Sequence, residues 1–153
     1  MIEEGGGFFV GAERERLEPP KKSGGTPLQE DTVIVVDGST IQPAQMDPKD
    51  DVIVGKAPVS GRRLLSVADA DGWAASLTTF GIGGRLNWHT HDSEQILYVT
   101  EGRGIVATGE REYLITPGCV VFIPAGEKHW HGATPESSMT HLNIQKTGIH
   151  LAE

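Results

Sequence analysis

Residues 83–102 read GGRLNWHTHDSEQILYVTEG, and residues 118–131 read GCVVFIPAGEKHWH. Each stretch contains one His-X-His pair: His89 with His91, and His129 with His131. Successive side chains of a β-strand point to opposite faces of the sheet, so the two histidines of a pair share a face. If both pairs face the interior of a closed sheet, up to four imidazoles meet in a largely apolar space.

The sequence around these stretches has the pattern of many short strands. From about residue 51 onward, short apolar runs alternate with Gly, Pro, Asp and Ser residues, which favour turns. The predicted strands are Val52–Val54, Trp73–Phe80, Asn87–His91, Gln95–Thr100, Gly104–Thr108, Glu112–Ile115, Val120–Ile123, His129–Ala133 and Met139–Gln145. Regular short strands of this kind predict an all-β domain, either a sandwich or a barrel.

Residues 1–50 differ from the rest of the chain. They contain a glycine run, a run of alternating charges and two adjacent prolines. Only Thr32–Val36, TVIVV, has the composition of a strand there. We therefore expect an N-terminal extension over residues 1–50, mostly irregular and able to contribute strands to an oligomer. A β-barrel domain is expected over residues 51–153.

Net charge and cysteine content exclude several classes of protein. The 153 residues include 13 basic and 21 acidic ones, a formal net charge of -8, which argues against binding nucleic acid or an anionic membrane surface. A single cysteine, Cys119, leaves no internal disulfide and no zinc site built on cysteines. No apolar run has the length of a membrane span, and the start of the chain lacks a signal-peptide pattern. We expect a cytoplasmic protein.

The two histidine pairs predict a metal site. Burying several imidazoles without partners costs free energy, and a divalent cation is a common way to stabilise such a cluster. The alternative is that these histidines make ordinary hydrogen bonds in the core or at the surface. We expect one divalent metal ion as cofactor: manganese, iron, zinc or nickel, with manganese or zinc preferred.

The spacing of these motifs resembles that of the cupin superfamily. The residues that carry the resemblance are Gly83, His89, His91, Gln95 and Gly102 in the first motif, and Gly118, Pro124-Ala125-Gly126 and His129 in the second. The resemblance implies a double-stranded β-helix, or jelly-roll barrel, in which side chains from both motifs hold one metal ion. The ligands that it implies here are His89, His91, Gln95 and His129.

Gln95 stands where that family usually has a glutamate as the fourth ligand. Glu94 is one residue earlier and would face the opposite side of the strand, so Gln95 is the predicted ligand. Three neutral imidazoles and one neutral amide leave the charge of the cation uncompensated, which makes the cation a stronger Lewis acid. We expect acid–base or lyase chemistry on a metal-bound oxygen rather than the oxygen activation typical of two histidines and a carboxylate.

Further polar residues are expected near the metal. His131 shares a face with His129, and the last predicted strand alternates polar His141, Asn143 and Gln145 with aliphatic residues. His141 is the preferred general base, with an ordinary pKa of about 6.5, and His131 is the second catalytic candidate. Asn143, Gln145, Ala75 and Leu77, together with Thr79, are expected to line the substrate pocket. The alternative is that the polar face of the last strand is exposed to solvent.

Residues 88–91, 95–104, 124–133 and 139–142 are similar to a bacterial group of small cupins described alongside carboxymuconolactone decarboxylases, some of which are manganese-dependent hydroxynitrile lyases. In those, a histidine matching His141 is the proposed acid/base. The resemblance implies a metal-dependent enzyme with lyase or cyclase-type chemistry on a small organic substrate, cyanohydrin cleavage being one example. The alternatives are an iron-dependent dioxygenase and a non-catalytic cupin that binds a small molecule. A homodimer is expected.

Overall fold

The structure, a computed structural model, describes residues 33–70, 72–146 and 149–152. All of them except Val33 belong to one compact unit, Ile34–Glu153. The predictions for residues 1–32 lie outside the described residues. Within the described part of the chain, no helix has the length and hydropathy needed to cross a membrane.

Strands make up nearly all of the regular structure in the described residues, apart from one 3-10 turn at Gly38–Thr40. In chain order the strands are β1 (Ala44–Gln45), β2 (Ile53–Val54), β3 (Val59–Leu65), β4 (Ala74–Phe80), β5 (Arg85–Leu86), β6 (His89–His91), β7 (Gln95–Gly102), β8 (Gly104–Thr108), β9 (Glu112–Ile115), β10 (Val120–Ile123), β11 (His129–Ala133), β12 (Met139–Gln145) and β13 (Ile149–Leu151).

The strands form two antiparallel sheets. The first has the order β1-β3-β4-β12-β7-β10. The second has the order β13-β6-β11-β5-β2, with β8 pairing with β11 and β9 pairing with β8. Both histidine pairs lie in the second sheet, on β6 and β11, and the alternating polar strand β12 lies inside the first. The predicted all-β fold class is therefore confirmed.

The core lies where the inward-facing residues of the two sheets meet. It contains Val52, Ile53, Val59, Phe80, Leu86, Leu97, Val99, Val106, Ile115, Ile123, Ala133 and Met139. Burying a large aliphatic or aromatic side chain contributes about 1.5–3 kcal/mol, so this cluster holds the two sheets together around the buried histidines.

A bulge interrupts the pairing of β12 with β7. Thr140 is opposite Glu101, whereas the next residue, His141, is opposite Val99, so Thr100 has no partner of its own in this ladder. An extra residue of this kind changes which side chains of the strand face inward. Up to Val99, the odd-numbered side chains of β7 therefore face inward, whereas after the bulge the even-numbered position, Gly102, faces inward.

Five predicted strands have the bounds expected from the sequence: β8, β9, β10, β11 and β12. The short strands β1, β5 and β13 were not predicted, and neither was β3. The sequence of β3, VSGRRLL, has a glycine and two arginines in the middle and so lacks the alternation that identifies a strand. Because β1 pairs with β3 at Ala44↔Gly61, the sheet begins ahead of residue 51.

The predicted strand Thr32–Val36 is wrong over its described part. Residues 33–36 are not in a strand, and Val33 and Val35 are 86% and 80% exposed. A run of β-branched residues favours an extended chain, but a strand also needs a neighbouring strand as hydrogen-bond partner. The composition of this segment could not show that no described strand pairs with it.

Candidate metal centre

Three histidines from two neighbouring strands converge in the interior. His89 and His91 lie on β6, His129 lies on β11, and His129 is directly opposite His89 in the ladder. Their side chains are 0%, 4% and 0% exposed. One ligand nitrogen from each of the three lies within 4.8 Å of the others, a separation that one metal ion can bridge. These three histidines could therefore hold a cation together.

Backbone carbonyl groups set the tautomer of two of these imidazoles. Nδ1 of His89 is 2.7 Å from the carbonyl oxygen of Asn87, and Nδ1 of His129 is 2.8 Å from that of Glu127. A carbonyl oxygen only accepts, so each Nδ1 carries the hydrogen and each Nε2 keeps its lone pair. Such an outer hydrogen bond is the usual way in which proteins orient a histidine ligand. In each case the acceptor lies two residues before the histidine.

Gln95 joins the three histidines from the first sheet. It is the first residue of β7 and is 3% exposed, whereas the neighbouring Glu94 is exposed. Its side-chain oxygen, Oε1, is 3.1 Å from Nε2 of His129. Its side-chain nitrogen, Nε2, donates to Oδ1 of Asn143 at 2.8 Å and to Oε1 of Gln145 at 3.0 Å. The structure thus brings all four predicted metal ligands together.

The contact between His129 and Gln95 indicates that these residues are suited to bind a cation. Burial lowers the pKa of His129, so its imidazole is neutral at neutral pH and Nε2 has no hydrogen. Oε1 of Gln95 has none either, so two lone pairs face each other at 3.1 Å in the interior. Two acceptors repel each other unless a positive charge lies close to both. Nitrogen and oxygen donors of this kind suit a divalent transition metal.

Burial keeps His89 uncharged. Together with the neighbouring imidazoles of His129 and His91, and against the opposing effect of the Asn87 carbonyl, it lowers the pKa of His89 to about 3. Metal ligands must be deprotonated to bind. Protons therefore compete poorly for this site near neutral pH.

His131 and His141 form a second buried pair beside the first cluster. They are 2% and 1% exposed, and their ring centroids are 5.0 Å apart in a T-shaped arrangement. The Phe80 ring contacts both, with centroid distances of 5.8 Å to His131 and 5.7 Å to His141. None of their four ring nitrogens makes a hydrogen bond to the described residues. Buried polar atoms without partners are rare and often mark a functional site.

The pKa of His141 differs from the value expected from the sequence. Burial lowers it to about 4, and a weaker polar contact with the Leu142 backbone opposes this shift. Burial also lowers the pKa of His131 well below its ordinary value, and the nearby imidazole of His141 adds to the effect. His141 is therefore not the near-neutral base that was expected. At neutral pH both rings are uncharged, and the alternative of a solvent-exposed polar face is excluded for His141.

The predicted pocket residues Ala75 and Leu77 are on the wrong face. In the ladder between β4 and β12, Ala75 is opposite Ile144 and Leu77 is opposite Leu142. Residues opposite each other in a ladder share a face of the sheet, so these side chains, and Thr79 with them, point away from His141. The predicted inward-facing residues of β4 are wrong by one position, because the sequence does not show which residue of the alternation faces inward.

The register identifies two site residues that the sequence analysis missed. Ser76 is opposite Asn143, and Thr78 is opposite His141. Their hydroxyl-bearing side chains therefore share the inner face with the predicted residues of β12. Phe80 could have identified them from the sequence. A large apolar residue at the end of a strand faces the core, so Thr78 and Ser76, two and four residues earlier, face the core with it. Asn143 and Gln145 are on the inner face, as expected from their alternation with aliphatic residues.

A cavity of about 870 Å³ reaches His129 between the edge strands of the two sheets. Its walls are mainly apolar and come from β8 to β11, with Val106, Tyr113, Leu114, Val121, Phe122 and Ile123 among them. Ligand sites are commonly concave, mostly apolar and of this size. Of the described residues of the histidine cluster, His129 alone borders this cavity, and its side chain is fully buried.

Comparisons with known proteins agree with this architecture. Residues 76–144 match the family model of the cupin domain. A curated relative from Granulicella tundricola, named (R)-mandelonitrile lyase, is 49% identical over 74 residues. That match covers 48% of this chain and 56% of the relative, so it spans little more than half of the relative's length.

Solved structures have the same fold. A cupin-like protein from Thermotoga maritima superposes with a TM-score of 0.63 at 25% identity, covering 80% of this chain and 89% of that one. A polyketide cyclase from Streptomyces resistomycificus superposes with a TM-score of 0.65 at 18% identity, covering 80% and 87%. The barrel, the family model and the relatives confirm the predicted fold: residues 76–144 of this chain match the cupin-domain model, and the chain is similar to a relative named (R)-mandelonitrile lyase.

Proposed function

We propose that His89, His91, His129 and Gln95 hold one divalent metal ion, and that the protein is a lyase that cleaves a small cyanohydrin-like substrate. The observation that carries this proposal is the contact between Nε2 of His129 and Oε1 of Gln95. These two atoms, each with a lone pair and no hydrogen, lie 3.1 Å apart in the buried cluster. The relative named (R)-mandelonitrile lyase supports the reaction class. Manganese or zinc is the preferred metal.

A divalent cation in this cluster would act as a Lewis acid that makes a substrate hydroxyl easier to deprotonate. The donors around it are three imidazoles and one amide, none of which carries a negative charge. The protein therefore leaves the full charge of the cation available to the substrate.

His141 is the group that moves the proton. In cyanohydrin cleavage the hydroxyl proton leaves, its bonding pair forms the carbonyl double bond, and the carbon–cyanide pair departs with the cyanide. With a pKa of about 4, His141 is neutral and can accept the hydroxyl proton. Because its protonated form is a strong acid for a histidine, it readily returns that proton to the departing cyanide, which leaves as hydrogen cyanide.

Phe80 and His131 keep His141 in place. The Phe80 ring lies 5.7 Å from the His141 ring, and the His131 ring lies 5.0 Å from it, centroid to centroid. Packing against two rings excludes bulk water from the proton carrier and restricts its rotation. Such fixed geometry is what general acid–base catalysis requires.

The substrate class is supported by two separate features, the cavity beside His129 and the polar residues on the inner face of the first sheet. The mainly apolar walls of the cavity next to His129 favour an uncharged organic body. Ser76, Thr78 and Asn143 add hydroxyl and amide groups on the inner face, which suit a substrate with one or two polar groups. We propose an uncharged hydroxynitrile with an apolar substituent.

Turnover of a cyanohydrin by metal-loaded protein tests this function. Aldehyde release should be measured under nitrogen with the wild type, with metal-stripped protein and with His141→Leu. We expect release only from the metal-loaded wild type, with activity restored when metal is returned to the stripped protein. Equal rates in the wild type and His141→Leu would contradict the role of His141. Turnover that requires oxygen would instead indicate a dioxygenase.

A further inference from the structure

The side-chain amide of Gln95 can present either of two ends to the metal centre. Its oxygen is a metal ligand, whereas its NH2 group has no lone pair to offer and would repel a cation. Both ends have nearly the same shape, so packing alone does not choose between them. Only the hydrogen-bond partners of Gln95 decide which end points toward His129.

Two residues of β12 make that choice in the structure. Oδ1 of Asn143 and Oε1 of Gln145 each accept a hydrogen bond from Nε2 of Gln95, at 2.8 Å and 3.0 Å. Both hydrogens of the NH2 group are then used, and Oε1 of Gln95 is left facing His129. A glutamate at this position would need no such help, because both of its ends are oxygens. The requirement is therefore specific to a glutamine ligand.

The sheet holds these acceptors in position. Gln145 is directly opposite Gln95 in the ladder, and Asn143 is opposite Leu97, so both side chains lie on the inner face of the strand next to Gln95. Gln95 is 3% exposed, so little water is available to replace either acceptor. A buried donor that loses its partner is left without a hydrogen bond, which is energetically costly.

We propose that Asn143 and Gln145 are positioning residues that hold the oxygen of Gln95 toward the metal. The inference rests on the metal centre of the proposed function, but not on the lyase reaction. Without the two acceptors, the amide turns its NH2 group toward the lone pair on Nε2 of His129. That hydrogen bond stabilises the metal-free cluster and removes one of the four ligands.

The affinity for zinc alone tests this proposal, measured by competition with a chelating indicator and without substrate. The double variant Asn143→Leu/Gln145→Leu should bind zinc about 10–100-fold more weakly than the wild type, the usual effect of losing an outer-shell partner of a ligand. Gln145→Met is the milder variant, with a smaller loss in the same direction. Thr140→Val is the matched control, because Thr140 is on the same strand but bonds Thr79 instead. Its zinc affinity should not change.

A double-mutant cycle separates positioning from a general structural role. In a Gln95→Ala background, Asn143→Leu/Gln145→Leu should cause no further loss of zinc affinity, because the side chain that they orient is gone. An equal loss in both backgrounds, or no loss in the wild-type background, would overturn the proposal. Thermal melts of the metal-free variants show whether each one folds.

Failure of this proposal is distinguishable from failure of the proposed function. If the wild type binds zinc and the cycle behaves as expected, the positioning role stands even when no cyanohydrin is cleaved. If the wild type binds neither zinc nor manganese, the metal centre itself is refuted and the positioning role with it.

Discussion

Replacing His141 by leucine is expected to make the metal-free protein less sensitive to acid. The folded state holds the pKa of His141 at about 4, whereas an unfolded chain has a histidine pKa of about 6.5. Between these two values the unfolded chain binds a proton that the folded chain does not. Stability is therefore lost as the pH falls through this window, and the loss is complete once the pH lies below the folded value.

The size of the effect follows from the two pKa values. One pKa unit corresponds to about 1.36 kcal/mol, so a shift from about 6.5 to about 4 gives a full loss of about 3 kcal/mol. Near pH 4.5 about 2 kcal/mol of this is already lost, and near pH 7 almost none. Leucine has no proton to bind, so the variant should lack this part of the acid sensitivity.

Urea unfolding of chelator-treated protein near pH 7 and near pH 4.5 measures the difference. The drop in unfolding free energy should be smaller in His141→Leu than in the wild type by about 2 kcal/mol. His150→Leu is the control, because His150 lies at the surface against Asp92. The reasoning is refuted if His141→Leu loses as much stability in acid as the wild type does.

Three other predictions concern the metal centre and assembly. His129→Ala should lower the metal content from about one ion per chain to near zero, whereas Glu94→Ala, at an exposed position, should leave it unchanged; elemental analysis decides. Gln95→Glu should bind manganese more tightly, because a carboxylate adds negative charge to the donor set. It should also cleave cyanohydrin more slowly, because the same charge weakens the Lewis acid. The affinity measured by calorimetry should therefore rise while the initial rate falls. The homodimer remains a prediction, and light scattering that gives the mass of one chain would contradict it.

The sequence predicted the histidine cluster because period-two alternation needs no knowledge of the partner strand. His129–Ala133 and Met139–Gln145 are strands with the expected bounds. Strong turn residues on both sides set their ends, and the alternation within each set their faces. The proximity of Gln95 to His129 was implied by the resemblance to the cupin motifs.

The sequence could not show the register between strands. Ala75 and Leu77 were put on the inner face, and Ser76 and Thr78 were missed, because a one-residue change of phase reverses every side chain of a strand. The ladder that pairs Asn143 with Ser76 resolves the phase. Pairing is a long-range property, so no local pattern in β4 contains it.

Burial was the second quantity that the sequence did not supply. An ordinary pKa was expected for His141, but the structure encloses it between Phe80 and His131. Desolvation depends on all the elements around a group and not on its neighbours in the chain. The same limit explains residues 33–36, whose composition favours a strand that no neighbour among residues 37–152 completes in the described part of the chain.

The bulge at Thr100 has a consequence for the chemistry of the interior. If Thr100 were instead paired in a regular ladder, the odd-numbered residues Gln95, Leu97 and Val99 would be followed on the same face by Glu101, whose carboxylate would then point toward the interior. The register shift instead sets Glu101 opposite Thr140, where it is exposed. The bulge thus keeps an anion out of the barrel, where a carboxylate would add negative charge to the pocket lining and attract a bound cation.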